Sequence, residues 1–294
     1  MTNIAVNNEF LVGALPLRRQ LELLAEAGFT HLHFDHQFNS DVLFSIHEMR
    51  EYRKWLAELG LTLLDVHAST GREKLWYALE EYRRKSGVEL IINRIELFSE
   101  LEGTGALAIH IPCYRRAVGF PQEELDRIPQ YVVQLRRSLD ELMPVQEKHH
   151  VCLALENMPN EEFEVSGELL PDYPAERLGI AYDSGHGNYG FNRGLDHLER
   201  LKERLAVIHL HDNDGMLDQH QPPFYGNVDW RRLVNIIDSS AYHGPLSFEI
   251  SMKHTPFYDQ EVPERKQPEP AIRQFLADAF QRCNQVAEMY RRHQ

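Results

Sequence analysis

Nine side chains of ligand-forming type fall at or just beyond the ends of short apolar, branched-residue segments: His67, His110, Glu156, Asp183, His186, His209, Asp218, His220 and Glu249. Imidazole and carboxylate without thiolate form the donor set of divalent metals of intermediate hardness, such as Zn²⁺, Mn²⁺ or Co²⁺. Glu156, Asp183, His209 and Glu249 supply three carboxylates and one imidazole. Such a set can hold a cation and leave positions open for water or substrate oxygens. His67, His110, His186, Asp218 and His220 surround that centre as candidate additional ligands. The Asp218-Gln219-His220 spacing lets two side chains point the same way. Asp65 shares strand parity with His67 and is placed to orient an imidazole. His33, Asp35 and His36 are candidates for substrate contacts.

Each residue alone has a plainer explanation. A carboxylate that ends a strand often caps the next helix, as Asp183 could before Ser184-Gly185. A lone His67 or His110 is more often a hydrogen-bonded pocket residue than a ligand, and Asp218 and His220 fit a solvated loop. His149, His150, His243 and His293 are assigned to helix ends, a turn and the C-terminus, and Arg115-Arg116 and Arg231-Arg232 to ordinary loop and helix charge. Recurrence at successive strand ends is what lifts the set above these explanations.

The elements that must position these residues follow from periodicity. Candidate strands lie near 3–7, 30–35, 61–67, 106–111, 151–157, 179–183, 205–211 and 245–250. Helical patterns fill 17–27, 43–59, 71–102, 122–149, 194–204, 229–240 and 269–292. Leu125, Ile128, Val132, Leu135, Leu139 and Leu142 recur at helical spacing. Gly28, Gly60 and Gly179 each stand between a helical pattern and the next strand, where a helix C-terminal glycine belongs. Strand–helix alternation implies parallel strands joined by right-handed crossovers. Eight such units predict an α/β fold, a (β/α)₈ TIM barrel forming one domain over residues 1–294. Its C-terminal strand ends share one rim, where such barrels carry their sites. A doubly wound sheet is the competing architecture, but no GxGxxG loop follows the first strand.

Composition narrows the class. The chain has 294 residues, 16 of them histidine, and a formal net charge of -14. Average usage would give about six histidines. The acidic balance argues against a nucleic-acid partner. No apolar run approaches the ~20 residues that span a bilayer. Cys113, Cys152 and Cys283 form no CxxC, and the N-terminal segment has no basic n-region, so a cytoplasmic location is expected. Aromatics in 253–270 and the C-terminal helix are candidates for a homo-oligomeric contact.

The segments LLDVHAS, ALAIHIP, LALENMP, IAYDSGHGN, VIHLHDNDG, DQHQPP, GNVDW and LSFEI resemble the xylose isomerase-like TIM-barrel superfamily of sugar (phosphate) isomerases and epimerases, which also includes the endonuclease IV enzymes. In the epimerases the resemblance implies Glu156, Asp183, His209 and Glu249 as metal ligands, with the two glutamates as the acid/base pair and His186 binding substrate. The three-zinc pattern of endonuclease IV is matched further, by His67, His110, His186, Asp218 and His220. Departures are His211 in place of an asparagine, Ala68-Ser69 after His67, and the loop 221–226. The expectation is a divalent-metal enzyme (Zn, Mn, Co or Mg, one to three ions) that isomerises or epimerises a small sugar, sugar phosphate or polyol. Proton transfer would pass through an enediolate, with burial raising the pKa of the base and with His186 and His211 orienting hydroxyls. A multinuclear zinc phosphodiester hydrolase is the alternative, and a barrel that keeps metal for structure or sensing a third.

Overall fold

The computed structural model describes residues 3–112, 123, 126–159, 163–189 and 194–291; Cys113, Arg115-Arg116, Leu125 and His293 lie outside them. Strands β1 (Ile4–Asn7), β2 (His31–Phe34), β3 (Thr62–His67), β4 (Leu107–His110), β5 (Leu153–Glu156), β6 (Leu178–Asp183), β7 (Leu205–His209) and β8 (Leu246–Phe248) form one sheet. All neighbours are parallel, in the order β7-β6-β5-β4-β3-β2-β1-β8. The two outer strands meet through a parallel bridge, in which Leu210 N donates to Ser247 O (2.9 Å) and Glu249 N to Leu210 O (3.1 Å). This is the expected (β/α)₈ barrel.

Helices α1 (Leu17–Ala27), α2 (Ile46–Leu59), α3 (Glu81–Glu100), α4 (Ile128–His149), α5 (Glu164–Leu169), α6 (Ser184–Asn188), α7 (Gly194–Leu201), α8 (Trp230–Asp238) and α9 (Glu269–Arg291) follow the strands. Val132, Leu135, Leu139 and Leu142 are buried on α4, as their spacing predicts. Gly28 and Gly60 end α1 and α2 in left-handed geometry. Gly179 does not: it lies inside β6. An added Cβ there would stand 2.8 Å from both Arg204 O and Ala206 Cβ, so close strand approach explains it. The pattern predicted as helix from residue 71 becomes helical only at Glu81. Asp41 accepts from the backbone N–H groups of Arg72, Glu73 and Lys74 (2.9, 3.2 and 3.3 Å), which holds that stretch as a loop. Among the described residues no helix is long and apolar enough to cross a membrane.

Strand alternation sorts side chains between two cores. Outward Leu, Ile and Val residues pack beneath the helices. The inner set is small: Ala106, Ala108, Ala154, Ala181 and Val207 cluster inside the barrel. Ala108, Ala154, Ala181 and Val207 each precede a site candidate by two residues (His110, Glu156, Asp183 and His209), so a layer of polar side chains sits above a floor of small ones.

Candidate metal centre

Glu156, Asp183 and His209 end β5, β6 and β7, and Glu249 follows β8 by one residue. One ligand atom from each lies within 4.8 Å of the others. His209 Nδ1 is 3.2 Å from Glu156 Oε1 and 3.0 Å from Glu249 Oε2. A shift in register between Ile180 and Ala181 brings Asp183 opposite His209. Asp183 is also the helix cap that its position allows, since His186 N donates to its Oδ1 (2.6 Å).

Two further groups adjoin this one: His67, His110 and Glu156, and His186, Asp218 and His220. His67 Nε2 is 3.2 Å from His110 Nε2 and 3.3 Å from Glu156 Oε2. Asp218 places one oxygen 3.3 Å from His186 Nε2 and the other 3.3 Å from His220 Nε2. Three of these imidazoles share one wiring. Nδ1–H donates to a backbone carbonyl, Ala68 for His67 (3.0 Å), Asn157 for His186 (2.8 Å) and Glu249 for His220 (3.2 Å). That fixes the tautomer and turns the Nε2 lone pair inward, as metal-ligating histidines require.

Buried atoms without hydrogen-bond partners test the fit of a cation. Glu156 Oε2 and His209 Nε2 are both such atoms. An acceptor-rich cluster of buried carboxylates and imidazole lone pairs is costly unless a proton or a cation satisfies it. The residues present therefore fit a divalent metal.

The electrostatics show the same demand. Burial would raise the Glu156 and Glu249 carboxyls, but the imidazole of His209, with His110 beside Glu156 and His220 beside Glu249, outweighs it and holds both well below the ordinary range. This reverses the expectation that burial raises the base. His209 goes the other way: burial alone would lower it, yet Glu156 and Glu249 carry it well above the ordinary value. Burial likewise opposes but does not cancel the rise at His220, which Asp218 brings to about 10. His110 is pushed down to about 4, chiefly by burial.

Other candidates sit differently. His211 is fully buried, with Nε2 on the Asp183 carboxylate (2.9 and 3.0 Å) and its ring stacked on His220 at 3.9 Å. These contacts steady Asp183 and His220. An added Cβ on Gly185 would lie 1.8 Å from the His211 ring. His33 is fully buried and its Nδ1 binds Asp65, so it too is closed to solvent; the imidazole that Asp65 orients is His33. Asp35 accepts from Glu9 N (2.9 Å) and Asn7 Nδ2 (3.1 Å), and burial raises its carboxyl to about 6. His36 binds Glu9 Oε1 (2.8 Å). Asp35, Glu9, Asp218, His220, Glu249 and Lys253 line a cavity of about 270 Å³ at the barrel mouth.

Two organising residues, Asn157 and Asp212, lie in the motif segments but are not among the candidate site residues. Asn157 exchanges bonds with Asp183, donating to its O (2.9 Å) and accepting from its N (2.7 Å). Asp212 is buried and accepts from the N–H groups of Asn213, Phe224 and Val228 and from Trp230 Nε1. It folds the loop that returns Asp218 and His220 to the site. Its place directly after the His209–His211 pair was the available sign.

The family described as xylose isomerase-like TIM barrel matches residues 21–282. The chain belongs to that family. The protein y4fM of Sinorhizobium fredii is 30% identical over 258 residues, 80% of this chain and 81% of that one. The fold is similar to that of a D-tagatose 3-epimerase-like protein (TM-score 0.74, 21% identity, 99% of each chain). It is also similar to that of IolI protein with a bound zinc atom (TM-score 0.67, 14% identity, 100% of this chain and 99% of that one).

Proposed function

We propose that this family member is a divalent-metal-dependent isomerase or epimerase of a small sugar or related polyol. The observation that carries the proposal is the bracketing of His209 Nδ1 by Glu156 and Glu249, two carboxylates from different strands, at 3.2 and 3.0 Å. Glu156, Asp183, His209 and Glu249 would hold the cation, which supplies charge stabilisation for an enediolate. Glu249, beside the mouth cavity, would take the α-proton, and Glu156 would return one to the other face or the neighbouring carbon. His186, held by Asn157 O and Asp218, is placed to orient a substrate hydroxyl. The names of the D-tagatose 3-epimerase-like and zinc-bound structures support the chemistry and the cation respectively.

A second reading, phosphodiester hydrolysis, is favoured by the two adjoining ligand groups, which could extend the centre to three ions. Against it, four carboxylates (Glu9, Asp35, Asp218 and Glu249) outnumber the cations His220 and Lys253 in the mouth lining, a poor reception for a polyanion.

The test pairs elemental analysis with two assays. A ketose panel in D₂O should show solvent deuterium entering the carbon next to the carbonyl, with metal bound and abasic-site DNA uncut. Cleavage of that DNA with no exchange in any ketose transfers the assignment to the hydrolase.

A further inference from the structure

The β2–β3 side of the barrel contributes a feature that none of the ligand groups above includes. His33 is fully buried, and its Nε2 has no hydrogen-bond partner. Its Nδ1 is bound by the Asp65 carboxylate, an acceptor, so Nδ1 carries a hydrogen and the neutral ring presents its lone pair at Nε2. This is the wiring of His67, His186 and His220, with a carboxylate in place of the carbonyl. The lone pair faces Glu249 Oε2 at 4.0 Å. That separation is too long for a hydrogen bond. Two atoms bound to one tetrahedral zinc at about 2.0–2.2 Å each lie about 3.4 Å apart, so the pair needs to close by about half an ångström to share the ion. The His33 and His209 rings lie 4.3 Å apart, and His33, His209 and Glu249 offer ligand atoms within 4.8 Å of one another.

The backbone is shaped for this contact. The β2–β3 register shifts between Leu32 and His33, so that Leu32 pairs with Leu63 but His33 pairs with Asp65. Without that irregularity His33 would pair with Leu64, which carries no carboxylate. The shift between Ile180 and Ala181 does the same for Asp183 and His209. Bulges beside sites serve to re-aim side chains. Each of these two aligns a carboxylate with an imidazole.

We propose that His33, oriented by Asp65, is a further ligand of the metal centre, binding through Nε2 beside Glu249 and His209. The inference rests on the metal-dependent reading above. It tells where the centre extends, from the rim toward the inside of the barrel on its β2 side.

Zinc-loaded wild-type crystals, with the metal located by its anomalous signal, provide the decisive measurement. The expected result is a zinc about 2.0–2.1 Å from His33 Nε2. A loaded centre in which every zinc stands clear of His33, with Nε2 bonded instead to water or to Glu249, overturns the inference and leaves the metal-dependent reading intact. Wild-type protein that takes up no zinc overturns both. Chelator competition on His33→Ala and Asp65→Asn extends the test. Asp65→Asn should weaken zinc binding by about 10–100-fold, as loss of an outer-shell partner does, and His33→Ala by at least as much. Unchanged affinity in folded His33→Ala also counts against it.

Discussion

The two ends of the same eight strands are chemical opposites. At the C-terminal rim the inward positions are His110, Glu156, Asp183, His209 and Glu249; two residues earlier on four of those strands they are Ala108, Ala154, Ala181 and Val207. The larger cavity, about 490 Å³, is at the N-terminal end, lined by Ala106, Cys152, Ala206 and Tyr242 among others; the mouth cavity is about 270 Å³. Size alone would select the wrong end. Convergent polar groups and displaced proton equilibria select the rim.

The contrast predicts unequal responses to substitution. The largest expected effect is at the rim. Glu249→Gln keeps the shape and removes the proposed base, so on the proposed mechanism exchange of the substrate α-proton should fall by about 10²–10⁴-fold. Turnover within a few-fold of wild type would remove Glu249 from the chemistry.

An intermediate effect concerns pH. In metal-stripped protein His220 titrates near 10, above its ordinary value of 6.5. Its contribution to stability is therefore complete below about 6.5 and lost as pH rises through 10. The melting temperature of stripped protein should fall over that interval. The gain on adding zinc should grow over the same interval, because a ligand must be deprotonated to bind. A zinc-induced gain that shrinks with rising pH contradicts the assignment of these imidazoles as ligands.

The smallest effect belongs to the floor. Burial pushes the Cys152 thiol up to about 12, so it should react slowly with disulfide reagents at neutral pH. Cys152→Ala should leave turnover and metal content unchanged, with a stability cost of about 1 kcal/mol as for an ordinary large-to-small change. Loss of activity there would erase the distinction between the two ends.

How much of this was legible in the sequence follows the same division. The rim residues could be found because strand parity and strand ends are local properties, and the helices of the barrel followed from spacing. Register is not local. That His33 faces Asp65, and Asp183 faces His209, depends on shifts in pairing that no single-strand pattern encodes. The same limit explains His211, whose buried place behind Asp183 depends on a neighbouring strand and on the missing side chain of Gly185. Asp212 likewise depends on distant partners, the loop amides of Phe224 and Val228 and the indole N–H of Trp230. The helix start at Glu81 was hidden because Asp41 holds the preceding stretch from 31 to 33 residues earlier in the chain, a contact invisible to periodicity.

The bridge between Leu210 and Phe248 is where the sheet joins its own far edge. His209 stands just before it on one strand and Glu249 just after it on the other. A cation grasped by both therefore acts as a clasp on the hoop. On the metal-dependent proposal, binding the ion would reinforce the closure that the bridge already makes, so the affinity of the centre would include part of the free energy of folding.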